Sequence, residues 1–296
     1  MKNNLEKLIS FNILLAIFII IWGAWVRLSG SGAGCGDHWP LCNGEIVPLD
    51  PSLKTIVEYV HRLTSGIFGI TIFVSVYMAN KVYPKGHFGR FFAYSSLFFT
   101  ITEALIGAIL VKKGLVVDND SSLRAWVIGF HLINTFILLG SLIAQLYFSM
   151  NPIFEFQKPH SKKIMVSILL GLIFILVGAT GAISALGNTL FPETSLIQGV
   201  LKDFDSTSHF LIRLRIFHPI FAILLFGLIQ WFCYDQGKKI YKALSHTSWI
   251  AVLFGAINWI LLAPKWGALL HLFIADFLWC LFTYALFDFY FSKNKL

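Results

Sequence analysis

Residues 55–80 read TIVEYVHRLTSGIFGITIFVSVYMAN, an apolar run with Glu58 and His61 close to its start. A spanning helix needs ~20 mostly apolar residues, so this stretch reads as a membrane span. Ionisable groups inside a span are costly and mark function by default. Similar runs stand at 9–27, 91–112, 123–148, 163–184, 208–233, 246–263 and 266–291. The composition agrees. The 296 residues are 57% hydrophobic and 13% charged, with mean hydropathy +0.74, against roughly 45–50% and about 25% in soluble domains. The expected fold is all-α and polytopic: eight transmembrane helices with short loops and no soluble domain. The first run is too long for a signal-peptide core. Arg27-Leu-Ser-Gly-Ser-Gly follows it in place of a small-residue cleavage site.

Lysines and arginines set the expected orientation. Lys2, Lys7, Lys81, Lys85, Arg90, Lys158, Lys162, Lys163, Lys238, Lys239, Lys242, Lys293 and Lys295 gather in one set of segments. Asp37, Glu45, Asp50, Asp118, Asp120, Glu193, Asp203 and Asp205 fall in the other. Both termini are therefore expected on the cytoplasmic face of the cell (inner) membrane. The net charge of +8 fits anionic lipid; no nucleic-acid motif is present.

An even number of spans splits naturally after the fourth. We expect two similar four-helix bundles, 1–149 and 162–296, joined by a cytoplasmic linker at 150–161 that contains two prolines. GAWVRLSGSG (23–32) and GATGAISALG (178–187) echo each other at the ends of spans 1 and 5. Repeats with even span numbers are parallel in topology.

Of nine histidines, His87, His160 and His246 read as surface groups, as do His38 and His209 in or beside loops. His61, His131, His218 and His271 remain, one on each even-numbered span, roughly 5–10 residues in. At 1.5 Å per residue they share a layer ~8–15 Å below the outer surface. One such histidine could be a helix–helix hydrogen-bonding group. Four at one depth fit two pairs of axial haem ligands, one pair per half. Zinc fits less well, since no Cys or carboxylate cluster accompanies them. Ser65, Gly66, Gly69 and Gly129 leave room for a flat macrocycle.

Arg27, Arg62, Arg124, Arg213 and Arg215 stand where propionates would emerge, although interfacial arginines also snorkel. Glu58, three residues before His61, shares its helix face. Glu103 and Asp276 are further intramembrane carboxylates, each an ion-pair partner, a proton relay or an orienting group for an imidazole. Cys35 and Cys42 lie in the first external loop, where an oxidising compartment favours a disulfide. It is either a staple or a redox-active pair. Cys233 and Cys280 read as small hydrophobes.

The chain resembles the haem A synthase family over essentially its whole length. The resemblance rests on Gly23-Ala-Trp-Val-Arg-Leu-Ser-Gly-Ser-Gly, Trp39-Pro-Leu-Cys-Asn-Gly, Glu58-Tyr-Val-His-Arg, Phe130-His-Leu-Ile-Asn, Ala185-Leu-Gly-Asn-Thr-Leu-Phe-Pro and Arg215-Ile-Phe-His-Pro. It implies a haem b cofactor between His218 and His271, and the substrate haem O, or product haem A, between His61 and His131. The implied reaction oxidises the C8 methyl to a formyl group by successive hydroxylations, with Glu58 at the reacting methyl. Cys35 and Cys42 match the external cysteine pair of some members. A haem O synthase as supplier, a terminal oxidase assembly pathway as destination and a homo-oligomer are further expectations. The sequence departs from the pattern in three places: the second half's loop has no cysteine, Glu103 replaces a neutral residue, and His38 replaces a small one. Two rival readings are a di-haem cytochrome b and a histidine-relay transporter. The first usually places ligands in both leaflets. The second should show broken helices, for which Pro219 is the one candidate.

Overall fold

A computed structural model describes residues 1–151, 154–156 and 161–293. Half of the linker expected at 150–161 (Pro152, Lys158, Pro159 and His160 among its residues) lies outside the described residues, as does Lys295. Among the described residues, eight helical segments are long and apolar enough to cross a membrane. The chain is a polytopic all-α protein.

The spans are α1 (Lys2–Leu28), α2 (Leu53–Val82), α3 (Phe88–Lys112), α4 (Ser122–Met150), α5 (Ser161–Leu190), then a short α6 (Leu196–Phe204) outside the spans. The sixth span is built from α7 (Phe210–Arg213), a 3-10 turn (Leu214–Ile216) and α8 (Phe217–Cys233); α9 (Lys239–Ile260) and α10 (Lys265–Tyr290) complete the set. Most helices outrun the apolar runs that announced them, because polar end turns continue the backbone ladder. Lys2 pairs with Glu6 at 3.7 Å in the first turn of α1. The Ser52 hydroxyl caps α2 by accepting from the Thr55 N–H at 3.2 Å. Pro192 bars helix for Phe191, so α5 stops at Leu190. Pro219 lacks an N–H, and its ring crowds the Arg215 carbonyl four residues back. The backbone accordingly tightens to 3-10 just there.

The chain divides into two compact units, Met1–Leu146 and Tyr147–Leu296. In the first, α2 packs against both α1 and α3. In the second, α5 packs on α8, α8 on α9 and α9 on α10. Large exposed side chains such as Leu14, Ile70, Phe91, Ile223 and Leu253 line the spans, as a lipid-facing surface requires.

One feature of the second unit has no counterpart in the expected architecture. Residues Phe154–Phe156 (β1) pair antiparallel with Phe291–Lys293 (β2), with Phe154 opposite Lys293. The Tyr147 hydroxyl donates to the Phe291 carbonyl at 2.8 Å. Rings of Phe148, Phe154, Phe287 and Phe291 stack edge-on around this pair.

Candidate functional site

The four histidines stand at matching helical positions: ninth in α2, tenth in α4, ninth counted from Phe210 and seventh in α10. All are half-buried.

In the second unit the rings of His218 and His271 lie 6.1 Å apart, with planes at 83°. Two imidazoles sharing one metal ion at ~2 Å from each nitrogen have centroids about 6 Å apart. The His218 Nδ1 sits 3.1 Å from the Val177 carbonyl. A carbonyl only accepts, so Nδ1 carries the proton and Nε2 keeps a free lone pair, the form that binds a metal. The His271 Nδ1 is buried with no hydrogen-bond partner among the described residues. Each ring rests on a glycine. A Cβ at Gly181 would come 2.9 Å from His218 Cε1, and one at Gly255 3.0 Å from His271 Cε1. The spacing, the tautomer and the glycine seats all fit a bis-histidine haem.

The first unit repeats the device once. A Cβ at Gly23 would stand 2.9 Å from His61 Cε1, and the Trp22 indole N–H bonds the Val57 carbonyl at 2.9 Å, pinning α1 to α2. The corresponding glycines are thus Gly23 and Gly181, which moves the repeat three residues from the register suggested by Gly178. His131 lies in the neighbourhood of His61. Behind His131, Glu103 Oε1 is 3.2 Å from Nδ1, an ion-pair distance that falls off the line of a hydrogen bond. The carboxyl is fastened by the Thr135 hydroxyl and by the Asn134 amide at 2.5 Å. Asn134 in turn accepts from Thr102 at 2.6 Å and donates to the Phe99 carbonyl at 2.9 Å. Cβ atoms built on Gly66, Gly69 or Gly129 would meet nothing within 4 Å, so these positions border open space.

Glu58 is 3% exposed, which rules out a solvated rim carboxylate. Its Oε2 accepts from the Cys35 backbone N–H at 2.8 Å, and its Oε1 pairs with Arg62 at 2.5 Å. Arg62 also donates to the carbonyls of Leu41 at 2.5 Å and Gly36 at 3.4 Å. Cys35 and Cys42 form a disulfide. One carboxylate therefore ties the disulfide loop to the helix that carries His61. A side chain at Gly34 would strike the Lys54 carbonyl at 2.5 Å, so the loop reaches α2 only because this residue is glycine.

The remaining arginines divide. Arg124, buried, donates to the carbonyls of Val117 and Asn119 at 2.7 and 2.6 Å. Arg215 is also buried and bonds Asp203 at 2.8 Å and Asn188 at 3.1 Å, with Glu193 at 3.6 Å. Arg213 is exposed and Arg27 half-buried. Burial lifts the Asp203 carboxyl above the ordinary aspartate range, against the pull of Arg215. Bonds from the Thr207 N–H and hydroxyl hold Asp205 below it. Glu58 and Arg215 occupy equivalent places, each three residues before a histidine, with opposite charge. Both clamp a loop. Asp276 is fully buried, and its oxygens accept no hydrogen bond among the described residues. Cys233 and Cys280 are free and buried.

Sequence reasoning missed the seats at Gly181 and Gly255 and the clamp around Arg215. A glycine recurring on the helix before a span histidine was the available signal for the seats. The Val177 carbonyl left none, being backbone.

A family model described as cytochrome oxidase assembly protein (COX15-CtaA) matches residues 6–283. A protoheme IX farnesyltransferase of Thermus thermophilus is 36% identical over 285 residues, covering 93% of this chain and 46% of that protein. The chain thus spans about half the length of that relative. A heme A synthase of Shouchella clausii is 37% identical over 123 residues, 42% of this chain and 39% of its own. One from Bacillus cereus is 42% identical over 98 residues, 33% of this chain and 32% of its own.

Proposed function

The chain belongs to the cytochrome oxidase assembly protein family, and from that premise we propose that it is a haem A synthase. It oxidises the C8 methyl of haem O to a formyl group. The observation that carries this reading is the His218–His271 pair, 6.1 Å apart, with a carbonyl fixing the His218 tautomer. The heme A synthases of Shouchella clausii and Bacillus cereus supply the reaction class.

In this reading His218 and His271 hold haem b, and His61 and His131 hold the substrate. Haem b supplies a one-electron carrier when bound. The balance is R–CH3 + H2O → R–CHO + 4 H+ + 4 e−, with water as the oxygen source. Glu58 stabilises positive charge developing at the methyl carbon or takes up its proton. Arg62 and the Cys35 N–H fix the position of that carboxylate. Arg27, Arg62, Arg124, Arg213 and Arg215 are the proposed propionate partners; Arg62, Arg124 and Arg215 also hold protein acceptors. The halves 1–149 and 162–296 are the substrate and cofactor domains. Both termini are placed in the cytoplasm of a cell (inner) membrane, with the disulfide loop outside. Haem O arrives from its synthase, and haem A passes toward terminal oxidase assembly.

The test is an absorption spectrum of the purified protein with identification of extracted pigments. Haem b together with haem O or A is expected; haem b alone would shift weight to an electron-carrying cytochrome. Labelled water should place its oxygen in the formyl group.

A second reading comes from the Thermus thermophilus relative named for farnesyl transfer to protohaem IX. Incubation with haem b and farnesyl diphosphate separates the two. New haem O would support transfer, and conversion of supplied haem O to haem A supports the synthase.

A further inference from the structure

The two units treat the rear nitrogen of one histidine differently. In the second, the His218 Nδ1 faces a neutral carbonyl, that of Val177, at 3.1 Å. In the first, the His131 Nδ1 faces a carboxyl oxygen of Glu103 at 3.2 Å. That carboxyl has little freedom to swing away. Thr135 and Asn134 both engage it, and Asn134 is itself fixed by Thr102 and the Phe99 carbonyl. The Thr135 hydroxyl also lies 2.8 Å from the His131 carbonyl, tying the carboxyl to the ligand's own turn of helix.

A carboxylate charge 3.2 Å behind an axial imidazole makes it a stronger donor to ferric iron than a neutral amide carbonyl does, even without a hydrogen bond on line. A more basic ligand stabilises the ferric over the ferrous iron. We infer that Glu103 is a positioning residue that makes the iron bound at His131 harder to reduce than the iron bound at His218. Electrons released at the first unit then find the second the better acceptor. The inference rests on the reading that these histidines ligate haem. It gives Glu103, otherwise a departure from the family's neutral residue, a specific task.

The experiment is spectroelectrochemical titration of the purified full-length protein and of E103Q, each reconstituted with haem b so that the macrocycles are identical. E103Q should raise the midpoint potential of one haem by at least a tenfold change in equilibrium constant, about 59 mV for one electron. The near-infrared charge-transfer band of that oxidised haem should move, and the other haem should stay unchanged. Haem retained with both potentials unmoved overturns the inference and leaves the ligand reading standing. Wild-type protein that takes up no haem overturns both. Should E103Q shed its haem, H271A and H61A each leave one centre to be titrated alone. The first-unit centre in H271A is expected at the lower potential, and an equal or higher value overturns the inference.

Discussion

Gly181 and His218 are in contact by design of the backbone: a single methyl at position 181 would stand 2.9 Å from the imidazole. Interiors tolerate added volume poorly, at ~1–3 kcal/mol per insertion, and here the yielding group is a proposed ligand. Gly181→Ala should lose the haem of the second unit while the helical circular dichroism persists. Haem-to-protein ratio decides it, and a full complement in the variant would refute the seat.

Glu58→Gln keeps an acceptor for the Cys35 N–H but removes the charge opposite Arg62. Loss of a positioned acid–base group typically costs ~10²–10⁴-fold. Conversion of haem O by E58Q should fall into that range with haem content intact, as read from extracted pigments. Undiminished conversion would remove Glu58 from the chemistry.

Arg62→Met attacks the same pair from the other side and leaves a buried carboxylate unpaired. Stranding one member of a buried pair costs about 3–5 kcal/mol. The melting temperature should fall well below that of E58Q, whose stranded group can still reach the Leu41 and Gly36 carbonyls. Equal melting temperatures would contradict this ranking.

The disulfide closes a short loop, so its removal should cost roughly 2 kcal/mol, the low end for such bonds. The double variant C35S/C42S is expected to melt earlier and to keep both haems, because Glu58 and Thr55 still hold the loop at Cys35 and Gly34. Haem loss on reduction alone would assign the bond a larger part.

Asp203 gives a pH signature of definite sign. Its carboxyl titrates above the ordinary aspartate range in the folded protein, so the folded state binds that proton more tightly. The stabilisation is present in acid and is lost as pH rises through the raised value. Protection factors of amides in segment 193–209, corrected for the intrinsic pH dependence of exchange, should therefore rise on acidification from neutral pH toward the ordinary carboxylate range. Arg215→Met, which removes the opposing cation, should enlarge the effect. Lower protection in acid would reverse the assignment.

Much of this was legible in the chain. Run length alone located all eight spans, and the spacing of His61, His131, His218 and His271 from their span starts placed them at matching helical positions. The misses have physical causes. Helix ends such as Lys2 and Leu190 lie beyond the apolar runs, because backbone hydrogen bonding does not stop where hydropathy does. The repeat register was off by three residues because Gly178 and Gly181 look alike in sequence, and only contact with His218 distinguishes them. The burial of Glu58 was hidden for a related reason. Residue 58 sits at a span boundary, where a long-range contact with Cys35 decides whether a carboxylate meets water. Helix α6 was unread because its Ile197, Leu201 and Phe204 are exposed, with Gly199 the buried position.

The pairing of Phe154–Phe156 with Phe291–Lys293 sets a clock on biosynthesis. The first strand leaves the ribosome long before its partner exists. At ~5–20 residues per second, it waits on the order of ten seconds for α10 and the strand after it to be made. The second unit is latched by a segment translated after α10, so a ribosome stalled within α10 would leave an apolar strand edge and an aromatic cluster open to chaperones.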